Sequence, residues 1–516
     1  MNIRQILEQT VSKYPEKTAV IFKDKNLSYR EIQQHVFHLA SALHSLGVKK
    51  SDKVAIFLPN CPQYIYSYLA CFVLGAIGIP LDYMLKKDEL ISCLGHAEAK
   101  ILIAQENNEV SVHEIAGGVF SLEKIILCGE RKDPAPSSNA ASPAHVSFLS
   151  FDDLLQKFSN EIPSINIQDD DPALIMYTSG TTGEPKGILL NYKHLEGSPR
   201  AMEYFVDLTD RDIKLCALPL SHIAGLIYIQ NCIIFGITVI LMDRFHPLEF
   251  LKNIEQHKVT CFHIVPAMYT AILLLKQIEK FNLSSLRWVV VFGAPSSPEI
   301  LRRFQQYCPN AQLLNGWGMT ETCPPNTVTP LGSQKIESVG KPSPLCEIKI
   351  FNDNSQDVPP GQVGEIVIRG WVVMEGYYKD PETTSQMKRN GWLYTGDLGR
   401  FDEEGYLYIV GRKKEMIKVA GQIVYAPEVE SALYKHEAVF EVAVVGMPDN
   451  LRGEAVKAFI VLKQDMKATS EDLRYFAREH LAHFKVPQSI EIRESLPKNR
   501  TGKIDKESLK STEIFS

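Results

Sequence analysis

Short unbroken apolar runs alternate with longer apolar or amphipathic stretches along most of this chain. Residues 54–58 (VAIFL) read as a buried strand, the stretch after them as an apolar helix, and 78–81 as a second strand. That order is a βαβ unit and predicts a parallel sheet. Runs 260–265, 288–292 and 312–314 predict further short buried strands, each followed by a turn and a helical or glycine-rich stretch. Ligands of such sheets gather beyond the carboxyl ends of the strands, so the loops after Phe292 and Leu314 are where a nucleotide is expected. From about residue 338 the texture changes to short alternating strands with turn clusters (NDNSQD, DEEG), which predicts a small β-rich, barrel-like subdomain. After Gly411 the pattern mixes helices (427–434, 470–481) with strands (442–445, 455–462), an α+β unit of about one hundred residues. The charged run GRKKE marks the boundary, giving an N-terminal unit 1–411 and a C-terminal unit 412–516. The overall class is α/β.

Two apolar segments invite a membrane reading. Residues 65–79 are shorter than the roughly 20 needed to span a bilayer, and Tyr66, Ser67 and Tyr68 fit a buried helix. Residues 223–242 carry Gln230 and Asn231 at their centre, and Gly236 divides a helical half from a β-branched half, which predicts a buried helix followed by a strand. Residues 133–144 (DPAPSSNAASPA) read as an exposed, mobile connection. The N-terminus lacks the apolar core of an export signal.

At 516 residues more than one domain is expected. A net charge of −6 with no basic stripe argues against nucleic acid as a partner. Ten cysteines without a CxxC pair fit free thiols in a reducing compartment, hence a cytoplasmic location.

The densest chemistry lies in YTSGTTGEPKG, Tyr177 to Gly187, with two hydroxyl pairs, three glycines and one lysine. Glycines let backbone amides approach a polyphosphate, hydroxyls donate hydrogen bonds and Lys186 adds a charge, so ATP is the expected ligand. A Walker loop would end in GK followed by Ser or Thr and enter a helix. Here Pro185 precedes the lysine and Gly187 follows it, and apolar residues 188–190 read as a strand, so the loop joins two strands. A flexible glycine-rich turn is the plain alternative. A second polar turn, NGWGMTET, sets Trp317 between glycines where the indole would lie flat on a heterocycle, with the Thr320 hydroxyl for a phosphate and Glu321 as a hard ligand for Mg2+. Ordinary packing is the competing reading of that tryptophan. In GWLYTGD, Asp397 follows a turn and is placed to accept from ribose hydroxyls.

These segments occur in one order with LPLSHIAG, the triplet Gly293, Ala294, Pro295, SVGKP, GRKKEMIK and the late KNRTGKI. Over nearly its whole length the chain resembles acyl-CoA synthetases of the adenylate-forming (AMP-binding) superfamily. The resemblance implies a large N-terminal domain of parallel-rich sheets flanked by helices, followed by a small mobile C-terminal domain. It implies that Thr178, Ser179, Gly180, Thr181, Thr182, Gly183 and Lys186 hold the β- and γ-phosphates. Gly293, Ala294, Pro295, Asn315, Gly316, Trp317, Gly318 and Met319 would border the adenine. Thr320 would touch the α-phosphate, Glu321 would bind Mg2+, and Asp397 and Arg412 would hold the ribose. Lys503 would bridge the substrate carboxylate and the α-phosphate; an ordinary solvated lysine is the alternative. Lys414 stands where the family has its hinge, and Lys418 to Gly421 on the face that would meet coenzyme A (CoA). Ala426 departs from the family's usual proline, with Pro427 one place later, and the helix there still starts because proline suits a first turn.

The implied chemistry joins a carboxylate to the α-phosphorus of ATP, releases pyrophosphate, and passes the acyl group to CoA. His222 and Phe292 are expected in the acyl pocket, His222 as a steric and stacking element and Phe292 as a bulk that shortens or bends it. The expected partners are a small carboxylic acid (a medium- or long-chain fatty acid, or a related or aryl acid), ATP and CoA. Peripheral membrane contact and oligomeric state stay open. The alternatives are an adenylating enzyme that loads a carrier protein, expected to be a separate one, and a non-catalytic member. Retained Thr320, Glu321, Asp397 and Lys503 argue against the last.

Overall fold

The computed structural model describes residues 2–105, 111–129, 146–158, 161–178, 186–293, 298–449, 451–498 and 503–514. Segment 133–144 lies outside them. Among the described residues the strands form four sheets. The expected βαβ unit is present: Lys53–Phe57 and Ile77–Pro80 pair in parallel across the helix Pro62–Leu74. Those strands are central in an eight-stranded sheet, parallel from Pro172–Thr178 through Ser147–Ser150. One edge turns antiparallel, where Lys186–Asn191 pairs with Pro172–Thr178 and Gly376–Tyr377 adds outside it.

A nine-stranded sheet holds the other expected strands. Ile213–Cys216, Cys261–Ile264, Trp288–Val291 and Gln312–Trp317 run in parallel. The last is longer than expected. Thr327–Val328 folds back and pairs with Gly316 and Trp317, so backbone hydrogen bonds carry the strand past Leu314 into the polar turn.

Both large sheets share one apolar core with the helices Tyr29–Ser45, Pro62–Leu74 and Ile223–Phe235. This explains why the two apolar segments resemble membrane spans: in Pro62–Leu74 every residue except Gln63 is buried, so no polar face is required. Gly236, at φ +72°, ends Ile223–Phe235 and strand Thr238–Leu241 follows. No helix among the described residues is long and apolar enough to cross a membrane.

The small β-rich unit is a five-stranded antiparallel sheet built on Trp392–Phe401. Its last strand, Leu407–Arg412, leads through a short turn at Lys413–Glu415 into the C-terminal sheet, which begins at Met416–Val419. There Val439–Asp449 is buried on both faces. Val442 and Val444 pack with Val429, Leu433 and Leu473 of the helices Ala426–Leu433 and Ser470–His480, while Ala443 and Val445 pack with Leu509 of Lys506–Ile514. Pro427 lies in the first turn of Ala426–Leu433, where its missing N–H costs nothing.

Candidate active site

The expected phosphate loop closes a β-hairpin. Thr178 pairs with Lys186 and Tyr177 with Gly187 across its base, so the loop joins two strands. A side chain at Gly187 would put its β-carbon 2.8 Å from Ile175 Cγ2, so the hairpin packs tightly here. Ser179, Gly180, Thr181, Thr182 and Gly183 lie outside the described residues, as do Ala294 and Pro295.

The hairpin is tied to Glu321 by a residue that sequence reasoning missed. Tyr377 pairs with Ile188 beyond the loop, and its hydroxyl donates to Glu321 Oε1 at 3.0 Å. Glu321 is buried in the short helical turn Thr320–Thr322. Burial raises its carboxyl pKa, while the Tyr377 hydrogen bond and the Arg412 charge oppose the rise. A buried carboxylate held only by its own backbone amide and the Tyr377 hydroxyl gains from a nearby cation. Mg2+ is commonly held by one or two carboxylates plus substrate phosphates, so Glu321 beside the phosphate hairpin fits that ion.

The polar turn is held by its own bonds. Thr322 Oγ1 accepts from the Met319 amide at 3.2 Å and donates to Asn326, and the Asn326 amide donates to the Thr322 carbonyl at 2.8 Å. The Asn315 side chain donates to the Ile336 carbonyl. Gly316 and Gly318 leave room for neighbours: a β-carbon at 316 would fall 1.9 Å from the Phe292 ring, and one at 318 would fall 2.6 Å from Pro324 and Asn326.

Trp317 is buried and donates its indole N–H to Asp397 Oδ2 at 2.8 Å, while Arg412 Nε sits 3.1 Å from Oδ1. Asp397 and Arg412 are register partners on adjacent strands. Asp397 lies within strand Trp392–Phe401 rather than beyond a turn. Gly396, at φ +72°, marks a bulge where pairing with Gly364–Arg369 skips, and this turns the Asp397 carboxylate toward Trp317.

Lys503 is half-buried in the same cleft. Its Cε lies 3.8 Å from where a β-carbon on Gly293 would sit, and Gly293 holds the left-handed φ of +90°. Burial, then the Arg412 charge, lowers the Lys503 pKa, while Asp397 and Glu415 raise it. His222 caps helix Ile223–Phe235, accepting from the Ala224 amide at 3.2 Å. Its ring is reached by solvent yet surrounded by protein, as in a deep cleft, and burial with the Lys503 charge pushes its pKa down to about 4. A neutral imidazole in an N-cap role suits a steric wall. Asn60 fixes the turn before it: its amide donates to the Leu218 and Met242 carbonyls at 2.9 and 3.0 Å, and its oxygen accepts from the Leu220 amide at 2.8 Å. A lone Asn after an apolar strand carried no signal of that clamp. The Phe292 ring stands edge-on to His263 at 5.5 Å.

Lys414 is exposed in the turn between the two last sheets. Lys418 and Gly421 are exposed at the hairpin of Met416–Val419 and Gln422–Tyr425, where Ala420 and Gly421 both take positive φ. Hydrogen bonds and charge contacts thus link Glu321, Trp317, Asp397, Arg412, Lys503 and His222, and Tyr377 ties Glu321 to the hairpin that carries Thr178 and Lys186, while Lys418 and Gly421 lie on the surface.

Comparison with known proteins gives the family. The family model described as AMP-binding enzyme matches residues 7–378, and that of the AMP-binding enzyme C-terminal domain matches 428–503. A long-chain-fatty-acid–CoA ligase of Bacillus subtilis (strain 168) is 35% identical, over 97% of this chain and 93% of its own. A feruloyl-CoA synthase of Amycolatopsis sp. is 34% identical, over 95% and 94%. Among solved structures, the anthranilate CoA ligase AuaEII in complex with anthranoyl-AMP superposes with a TM-score of 0.92 at 28% identity, covering 100% of this chain and 98% of that one. The o-succinylbenzoate CoA synthetase (MenE) of Bacillus subtilis does so with a TM-score of 0.83 at 30% identity, covering 98% and 97%. The chain therefore belongs to the AMP-binding, adenylate-forming enzymes, and within them to the AMP-forming acyl-CoA ligases.

Proposed function

We propose that this enzyme activates a medium- or long-chain fatty acid, or a related acid of similar length, as its acyl-adenylate and then forms the CoA thioester. The observation that carries the reading is Lys503, drawn from the C-terminal domain into the cleft beside Gly293, within the electrostatic reach of His222, Asp397 and Arg412. A carboxylate and a triphosphate repel as they approach, so the barrier falls mainly through positioning and charge neutralisation. Lys503 supplies a cation between the two anions, and Lys186 at the hairpin base supplies one at the departing phosphates. Mg2+ held at Glu321 would neutralise further phosphate charge. A carboxylate oxygen bonds to the α-phosphorus, the bond from that phosphorus to the bridging oxygen breaks, and pyrophosphate leaves with the electron pair. Asp397 and Arg412 anchor the ribose, and Trp317 fixes Asp397.

In the second step the CoA thiol gives its proton to solvent, sulfur bonds to the acyl carbon and AMP leaves. A thiol with pKa near 8.5 attacks so activated an ester without a dedicated base. The exposed hairpin of Lys418 and Gly421 would take the place of Lys503 after rotation about Lys414. Kinship with a long-chain-fatty-acid–CoA ligase supports the fatty-acid class, and the Phe292 ring against Gly316 supports a limited depth. The test is carboxylate-dependent pyrophosphate exchange across an acid panel, repeated with CoA or a carrier protein as acceptor. Exchange with medium-length acids and turnover with CoA are expected. Absence of exchange with every acid would refute the reading.

A further inference from the structure

Beneath the Gly293 turn, one patch of the interior holds polar atoms without hydrogen-bond partners among the described residues. Lys214 has no exposed surface, and its ammonium meets no hydrogen-bond acceptor. It is caged by rings, lying over Tyr228 at 4.6 Å and Trp288 at 5.4 Å. Asp212, the carboxylate whose field reaches it, is already held by Arg287 at 2.6 Å and by the Thr260 hydroxyl at 2.7 Å. Trp288 and His263 are each 1% exposed and Asn231 is fully buried. The Trp288 N–H, both His263 nitrogens and both polar atoms of the Asn231 amide also lack partners. Asn231 stands three residues on from Tyr228, on the same side of helix Ile223–Phe235.

The sheet register shows where this patch leads. Lys214, Cys261 and Trp288 lie side by side, with His263 one side-chain step nearer the cleft. Ring contacts continue the line, Trp288 to His263 at 5.8 Å and His263 to Phe292 at 5.5 Å, and Phe292 precedes Gly293 beside Lys503. From Trp288 to Phe292 the strand direction spans about 13 Å at about 3.3 Å per residue. The patch stands at the far end of a packed line of rings that runs from the Gly293 turn beside Lys503 down between the sheet and helix Ile223–Phe235. A caged cation with neighbouring donors and no anion in hydrogen-bond contact is costly to bury, and an incoming anion would satisfy it. Burial pushes the Lys214 pKa down only to about 8, so it is cationic at neutral pH.

Resting on the reading of this cleft as an acyl-adenylate site, we propose that the preferred acid carries a second carboxylate at its far end. Lys214, with the Trp288 and Asn231 donors, receives that group once the Phe292 and His263 rings turn aside. The substrate class is therefore a medium-length dicarboxylic acid, activated at one end and held at the other.

The test compares α,ω-dicarboxylic with monocarboxylic acids of equal carbon count in pyrophosphate exchange, using wild type, Lys214→Met and Trp288→Phe. Wild type is expected to favour diacids at medium length. Lys214→Met is expected to lower the diacid-to-monoacid ratio of kcat/KM by about 30-fold or more, as loss of one partner of a buried charge pair does. Trp288→Phe, which keeps an aromatic ring of smaller size and removes the donor, is expected to lower the ratio less, in the same direction. A diacid should raise the melting temperature of wild type more than that of Lys214→Met, a reading that needs no turnover. Preference for monoacids in wild type, or an unchanged ratio in both variants, would overturn the assignment while leaving the adenylation reading intact. Absence of exchange with both classes would instead bring down that reading, and this one with it.

Discussion

Replacing Lys503 by Met should separate the two half-reactions, and the size of the effect follows from the surroundings of the ammonium. The ammonium stands between the Gly293 turn, His222 and the Asp397–Arg412 pair, in surroundings dry enough to lower its pKa. A unit charge about 4 Å from another is worth about 4 kcal/mol at an effective dielectric of 20. Solvent reaches the neighbouring His222, so about 3 kcal/mol is the fairer figure, a loss of roughly 10² to 10³ in the adenylation rate. Thioester formation from supplied acyl-AMP needs no charge between carboxylate and phosphate and should keep most of its rate. The assay pairs pyrophosphate exchange with CoA-dependent consumption of synthetic acyl-AMP. Because the folded pKa of Lys503 is lowered, wild-type adenylation should decline on the alkaline side at a pH below the 10.5 of an ordinary lysine. Equal losses in both half-reactions, or an alkaline decline that survives in Lys503→Met, would refute the reasoning.

Trp317→Phe keeps an aromatic ring, though a smaller one, and removes the N–H from Asp397, at a cost of about 1.5 to 3 kcal/mol for a hydrogen bond to a charged group. Calorimetric titration should show ATP binding weakened by roughly tenfold or more, and unchanged binding would argue against Trp317 as the residue that fixes Asp397. Gly316→Ala sets a β-carbon 1.9 Å from the Phe292 ring and should cost about 1–3 kcal/mol of stability in denaturant. Phe292→Ala should relieve most of that cost, whereas strictly additive losses would show that the two positions are not coupled. Lys214→Met should raise stability without substrate. The folded pKa of about 8 lies below the unfolded value near 10.5, so the unfolded chain binds the extra proton between those pH values. The penalty is therefore full below pH 8, at about 3 kcal/mol, and fades as pH rises toward 10.5. Urea melts should show a wild-type deficit at pH 7 that shrinks by pH 10; a deficit flat with pH would place its cause in packing.

Local patterns made much of this protein legible. Unbroken apolar runs and glycine stops report neighbours a few residues apart, which is the range over which strands and helices form. They sufficed for the βαβ unit at 53–80, for the strand after the phosphate hairpin and for a helix and strand in place of a membrane span at 223–242. Boundaries were less legible, because the extension to Trp317 depends on Thr327–Val328 folding back to pair with it.

The sequence by itself determined the family, the order of the motifs and the residue types gathered at the cleft, since these are written in contiguous segments. Only the tertiary structure decided what each side chain touches. Trp317 reaches Asp397 across 80 positions, Tyr377 reaches Glu321 across 56, and Asn60 clamps the Leu220 amide across 160. Separations of that size leave no periodic trace, because parallel strands set side by side residues that the chain keeps far apart. Lys214 shows the same limit from the other side. In sequence it is one lysine near the start of an apolar run, and only the closure of sheet and helix around it makes it a buried cation with no hydrogen-bond partner among the described residues.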